Sequence, residues 1–107
     1  MENLTLDKTL QKCRVALEAY YGEKLQGILL YGSCARGDAV SSSDIDLLIL
    51  LSPPFDFFAE LRQIIEILYP IQLESEQLIS AKPAPVNDFK MGSISLYRNI
   101  RAEGLAI

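Results

Sequence analysis

The run Ile45-Asp46-Leu47-Leu48-Ile49-Leu50-Leu51 constrains this chain more than any other segment. It follows an acidic residue, Asp44, and stops at Ser52-Pro53-Pro54. Residues 44–51 (DIDLLILL), apolar in near-continuous succession beyond the first residues, read as a strand covered on both faces. Such a strand needs packed elements on each side of its sheet. The run is far too short to cross a bilayer, which takes about 20 apolar residues. No membrane role is expected.

The flanking segments supply the covering layers. Residues 5–21 repeat Leu6, Leu10, Cys13, Leu17 and Tyr20 at helical spacing, with Gly22 as the stop. Leu25–Tyr31 is short, apolar and bounded by glycines, and predicts a strand. Residues 32–43 (GSCARGDAVSSS) are small and polar, and predict a loop with a helical turn at its start. The next helix spans 55–68, with Phe58, Leu61, Ile65 and Leu68 as its apolar face, and ends at Tyr69-Pro70. Residues 71–80 predict another strand, and 81–86 an irregular, proline-broken stretch. Residues 93–103 predict a last helix closed by Gly104. The expected fold is α/β (α+β): a small mixed sheet flanked by helices, in a single domain over residues 1–107.

The sequence contains no histidine, which removes Ser-His-Asp and Cys-His catalysis and the commonest metal ligand. Cys13 and Cys34 are too few for a structural zinc site. The first residues, MENLTLDK, do not resemble a secretory leader, so reduced thiols and a cytoplasmic location are expected. Net charge is −4, which argues against direct binding of nucleic acid. Lys82, Lys90, Arg98 and Arg101 read as a solvated face. Any chemistry must come from carboxylates, hydroxyls, backbone amides, Lys and Arg.

Two features carry that chemistry. Asp44 and Asp46 are two residues apart at a strand entry, so both side chains point to one side of the sheet. Two neighbouring carboxylates repel, and an oxygen-seeking cation such as Mg²⁺ relieves the repulsion. Taken alone, the pair is more often a solvated strand start. Gly32-Ser33 directly follows the preceding strand. A glycine there lets backbone approach a ligand, and a helical turn beginning at Ser33 would offer amides to phosphate. Taken alone, it is more often a serine N-cap. Neither a Walker loop nor a G-x-G-x-x-G is present. A phosphate loop and a metal pair on successive strands suit phosphoryl or nucleotidyl transfer.

The segments Gly32-Ser33-Cys34-Ala35-Arg36-Gly37-Asp38 and Ser43-Asp44-Ile45-Asp46-Leu47-Leu48 resemble the signature of the minimal nucleotidyltransferases, in the DNA polymerase β-like superfamily. Its pattern is Gly-Ser, ten residues, then Asp-x-Asp, and the spacing from Ser33 to Asp44 keeps it. The stretch Ser95–Gly104 is similar to the tail of these proteins. The resemblance implies Mg²⁺, with ATP as substrate, and Asp44 and Asp46 as catalytic metal ligands. It implies nucleotide contacts at Gly32 and Ser33, with Arg36 either on a phosphate or paired with Asp38 or Asp44. A third carboxylate is usual on a neighbouring strand; Glu76, ahead of Leu78-Ile79, matches better than Glu74, and neither match is clean. Many such proteins are antitoxins that face a HEPN-domain ribonuclease toxin, and some transfer AMP to a toxin tyrosine. The alternative is a module that neutralises a toxin by binding, with little or no transfer. The oligomeric state is open, a homo-oligomer included.

Overall fold

The computed structural model describes residues 4–37 and 43–107. The loop expected over 32–43 falls partly on residues 38–42, Asp38 included, which lie outside the described residues. In chain order the elements are α1 (Leu4–Tyr21), a 3-10 turn (Gly22–Lys24), β1 (Leu25–Tyr31), α2 (Ser33–Arg36), β2 (Ile45–Leu51), α3 (Phe57–Glu74), β3 (Ile79–Pro85), α4 (Val86–Met91), α5 (Ser95–Glu103) and β4 (Leu105–Ala106). The sheet runs β3-β2-β1-β4. β1 is antiparallel to β2 and β4, and β2 is parallel to β3. This is the expected mixed sheet flanked by helices.

Strand β2 lies inside the sheet and is covered on both faces, as its composition requires. Ile45, Leu47, Ile49 and Leu51 join Leu10, Cys13 and Leu17 of α1 and Ile64, Leu68 and Ile71 of α3 in one cluster. Leu48 and Leu50 face the other way, against Ala84, Phe89 of α4 and Ile100 of α5. Burying each of these Leu, Ile and Phe side chains stabilises the fold by about 1.5–3 kcal/mol. The Tyr21 hydroxyl donates to Glu60 Oε1 at 2.8 Å and ties α1 to α3. The odd/even alternation along β2 therefore assigns a side to every residue on it, Asp46 included.

Several expected boundaries move. On α1 the buried tyrosine is Tyr21, whereas Tyr20 is exposed. Helix α3 does not end at Tyr69-Pro70 but runs on to Glu74 with Pro70 inside it. Pro70 lies on the solvent side, and the next turn is held by burial of Ile71. The inward face of α3 is Ile64, Leu68 and Ile71, and Phe58 and Ile65 point to solvent. The strand expected over 71–80 instead occupies Ile79–Pro85, across the stretch expected to be irregular. Its prolines, Pro83 and Pro85, are two residues apart on an edge strand. Their missing N–H groups thus share one side of β3, the open edge, where no ladder bond is lost. α4 and β4 were not expected; the first is too short for a periodic signal and the second has only two residues.

Candidate active site

Strand β1 delivers the chain to Gly32, which adopts φ 76° and ψ −156°, a conformation close to glycine-only. The short helix α2 begins at the next residue, with Gly32 as its N-cap; Ser33 is therefore inside the turn and not its cap. The amides of Ala35 and Arg36 both donate to the Gly32 carbonyl at 3.2 Å. The amides of Ser33 and Cys34 stand ahead of that ladder, as the first amides of any helical turn do.

Gly32 also sits against the metal-type pair. A Cβ placed on Gly32 would collide with Asp46 Oδ2. The absence of a side chain is thus a spatial requirement as well as a conformational one. Register explains the approach, because Tyr31 is paired with Asp46 across the β1–β2 ladder. The structure therefore brings Gly32-Ser33 and Asp46 together. Asp44 lies one residue before β2 and is exposed, while Asp46 is half-buried. Burial raises the Asp46 pKa, Asp44 raises it further, and Lys82 opposes both. The Tyr31 hydroxyl is pushed up by burial and then by Asp46.

A set of hydrogen bonds holds the backbone around Asp44. The Cys34 thiol donates to the Asp44 carbonyl at 3.4 Å. Gln77 Nε2 donates to the Ser43 carbonyl at 2.8 Å and approaches Cys34 Sγ at 3.9 Å. The Ile45 amide donates to the Leu78 carbonyl at 2.8 Å, and the Ile79 amide to Gln72 Oε1 at 2.6 Å. The segment after α3 thereby clasps α2 and the entry to β2 in one arrangement. Cys34 is a buried part of this clasp.

Neither expected third carboxylate joins the pair. Glu76 occupies an exposed bend ahead of β3 and is not in a strand. Glu74 ends α3 and meets Lys12 Nζ at 3.3 Å. Among the described residues no third His, Cys, Asp or Glu gathers with Asp44 and Asp46. Arg36 is exposed, with Nη1 3.8 Å from Glu103 Oε2 of α5. Sequence reasoning missed Lys82, Gln77 and Tyr31 as neighbours of the pair. For Lys82 the signal was hidden by Pro83 and Pro85, which disguise β3 as a loop.

A family model described as "Nucleotidyltransferase domain" matches residues 10–94, which spans both halves of this site. The chain belongs to the nucleotidyltransferase-domain family. Members of the family use nucleoside triphosphates, typically with a divalent metal ion. This nucleotidyltransferase is 32% identical over 102 residues to a candidate protein adenylyltransferase of Methanocaldococcus jannaschii, covering 92% of this chain and 93% of that protein. A second candidate protein adenylyltransferase of the same organism is 48% identical over 50 residues, which are 47% of this chain and 31% of that protein. Among solved structures, a crystal structure of a toxin–antitoxin with AMP-PNP aligns with a TM-score of 0.57 at 22% identity, over 90% of this chain and 70% of the other. At that identity the likeness speaks for the fold. No helix among the described residues is long and apolar enough to cross a membrane.

The donor set of this candidate site suits a hard cation. Two carboxylates lie two residues apart at a strand entry, one of them destabilised by burial and by the other's charge. A divalent ion with oxygen preference relieves both costs.

Proposed function

We propose that this nucleotidyltransferase transfers AMP from ATP to a protein acceptor. The observation that carries the reading is the contact between Gly32 and the Asp46 carboxylate. It joins the phosphate-type turn to the metal-type pair at van der Waals range. The Ser33 and Cys34 amides and the Ser33 hydroxyl hold phosphate oxygens, and Arg36 adds a cation at the rim. Asp44 and Asp46 hold Mg²⁺. When bound, Mg²⁺ supplies charge neutralisation and alignment of the triphosphate oxygens. Cys34 and Gln77 keep the Ser43-Asp44 backbone in place while the substrate binds.

The acceptor is a tyrosine of a HEPN-type toxin, and the protein acts as its antitoxin. The tyrosine oxygen bonds to the α-phosphorus, the bond to the α–β bridging oxygen breaks, and pyrophosphate leaves. The tyrosine proton passes to solvent. The net charge of −4 favours a basic partner, such as a protein that itself binds RNA. The names of the relatives support protein adenylylation, and the toxin–antitoxin neighbour supports the setting.

A second reading follows from the missing cluster. Without a third carboxylate beside Asp44 and Asp46 among the described residues, transfer is slow and neutralisation rests on binding alone. One experiment separates the two. The protein is incubated with the product of its neighbouring gene, Mg²⁺ and ATP, and the neighbour is weighed intact. Added mass in units of AMP, lost with Asp44→Asn, supports transfer. An unmodified neighbour inhibited in a stable complex supports binding alone.

A further inference from the structure

The even-numbered side of β3 reaches the aspartate face. Register sets Asp46 beside Ser80, Leu48 beside Lys82 and Leu50 beside Ala84. Paired residues in adjacent strands project to the same side. Leu48, Leu50 and Ala84 share one buried cluster, which identifies that side as the one under α4 and α5. Lys82 therefore stands one pleat along from Asp46, on the same face and on the adjacent strand. It is half-buried, and it closes no ion pair among the described residues. Its charge is felt at Asp46, where it opposes burial and Asp44.

The charge balance of the site gives this lysine a task. A nucleotide's triphosphate tail is multiply anionic, and it must enter beside two carboxylates. One divalent ion offsets those carboxylates but leaves the tail short of cations. Of the other basic groups nearby, Arg36 is exposed and drawn toward Glu103. A carboxylate at Ser80 or Lys82 would have deepened the deficit and invited a second metal ion; the strand offers a hydroxyl and an ammonium in its place.

We propose that Lys82 is a triphosphate-binding residue, its ammonium taking a non-bridging oxygen of the outgoing pyrophosphate portion. The inference rests on the reading of Gly32-Ser33 and Asp44/Asp46 as a nucleotide site. Lysine binds phosphate as a mobile point charge, so Arg is an adequate substitute here and Gln is not.

The test is calorimetric titration of the full chain with ATP and Mg²⁺. Four proteins are compared: wild type, Lys82→Gln, Lys82→Arg and Asp44→Asn. Gln keeps most of the side-chain stem, so the nucleotide-free variant should still unfold cooperatively, its midpoint lowered only by loss of the Lys82 attraction for Asp46. Loss of one charge-assisted hydrogen bond should weaken binding by about tenfold or more in Lys82→Gln. Lys82→Arg should return to within a few-fold of wild type. Wild-type affinity in Lys82→Gln, or equal weakening in the Gln and Arg variants, overturns the proposal. If Asp44→Asn binds like wild type, the nucleotide site itself is misassigned. If Asp44→Asn weakens and Lys82→Gln does not, only the role of Lys82 falls.

Discussion

Replacing Gly32 with alanine tests the junction on which the site depends. Two penalties are superposed there. The backbone conformation, φ 76° and ψ −156°, costs a non-glycine residue about 1–3 kcal/mol. The added methyl must also displace the Asp46 carboxylate, because it would occupy the space of Oδ2. For a domain of this size each kcal/mol lowers Tm by about 5 °C, so the backbone term alone predicts a fall of roughly 5–15 °C. Gly37→Ala is the internal control. Gly37 also has a positive φ, 79°, but a Cβ there meets nothing within 4 Å. It should cost about 1 kcal/mol and leave ligand binding intact. Thermal unfolding of both variants is recorded with and without Mg²⁺ and ATP. Gly32→Ala should be the less stable and should lose most of the ligand-induced stabilisation. The double variant Gly32→Ala/Asp46→Ala should be more stable than additivity predicts, by about 0.5 kcal/mol or more, because the collision is gone. If Gly32→Ala matches Gly37→Ala in stability and in its response to ligand, the contact has no structural or functional weight and the reasoning fails.

Three further outcomes are expected. The raised Asp46 pKa means that the folded state holds its proton more tightly than the unfolded state, so this group's contribution falls as pH rises through and above the ordinary aspartate range. Metal-free Asp46→Asn should therefore be more stable than wild type at neutral pH and equal to it in acid; a pH series of unfolding midpoints with no such convergence contradicts the burial argument. Gln77→Ala removes the 2.8 Å bond to the Ser43 carbonyl and should cost about 1 kcal/mol while also reducing stabilisation by Mg²⁺ and ATP; an unaltered ligand response would show that the clasp does not position Asp44. Glu76→Gln should leave that response unchanged, since Glu76 sits in an exposed bend away from the pair, and a marked loss would return Glu76 to the metal site.

The parts of the fold that were legible beforehand are those with strong local signals. The apolar run of β2 announced burial on both faces, and α1 and β1 were bounded by Gly22 and Gly32. Gly-Ser and Asp-x-Asp were recognisable by spacing, and the structure brings Gly32 onto Asp46. What stayed hidden depended on tertiary context. Pro70 would ordinarily end a helix, but burial of Ile71 beyond it carries α3 onward. Pro83 and Pro85 would ordinarily forbid a strand, but an edge position leaves their side of β3 unpaired. That second reversal shifted the strand register and moved attention from Lys82 to Glu76. The positions facing Asp46 can be named only after β3 is aligned with β2. Gln77 was illegible for a similar reason: its bond to Ser43 joins residues 34 apart in sequence, and no local pattern announces it.

The claim that Gly32-Ser33 and Asp44/Asp46 form one magnesium–nucleotide site is tested most directly by thermal unfolding with and without Mg²⁺ and ATP. Wild type, Asp44→Asn and Asp46→Asn are compared. Ligand at about 100 times its Kd stabilises the folded state by about 2.7 kcal/mol. The account predicts that shift in wild type with Mg²⁺ and ATP together, and a sharply smaller one in either variant. Equal stabilisation of all three proteins would contradict it.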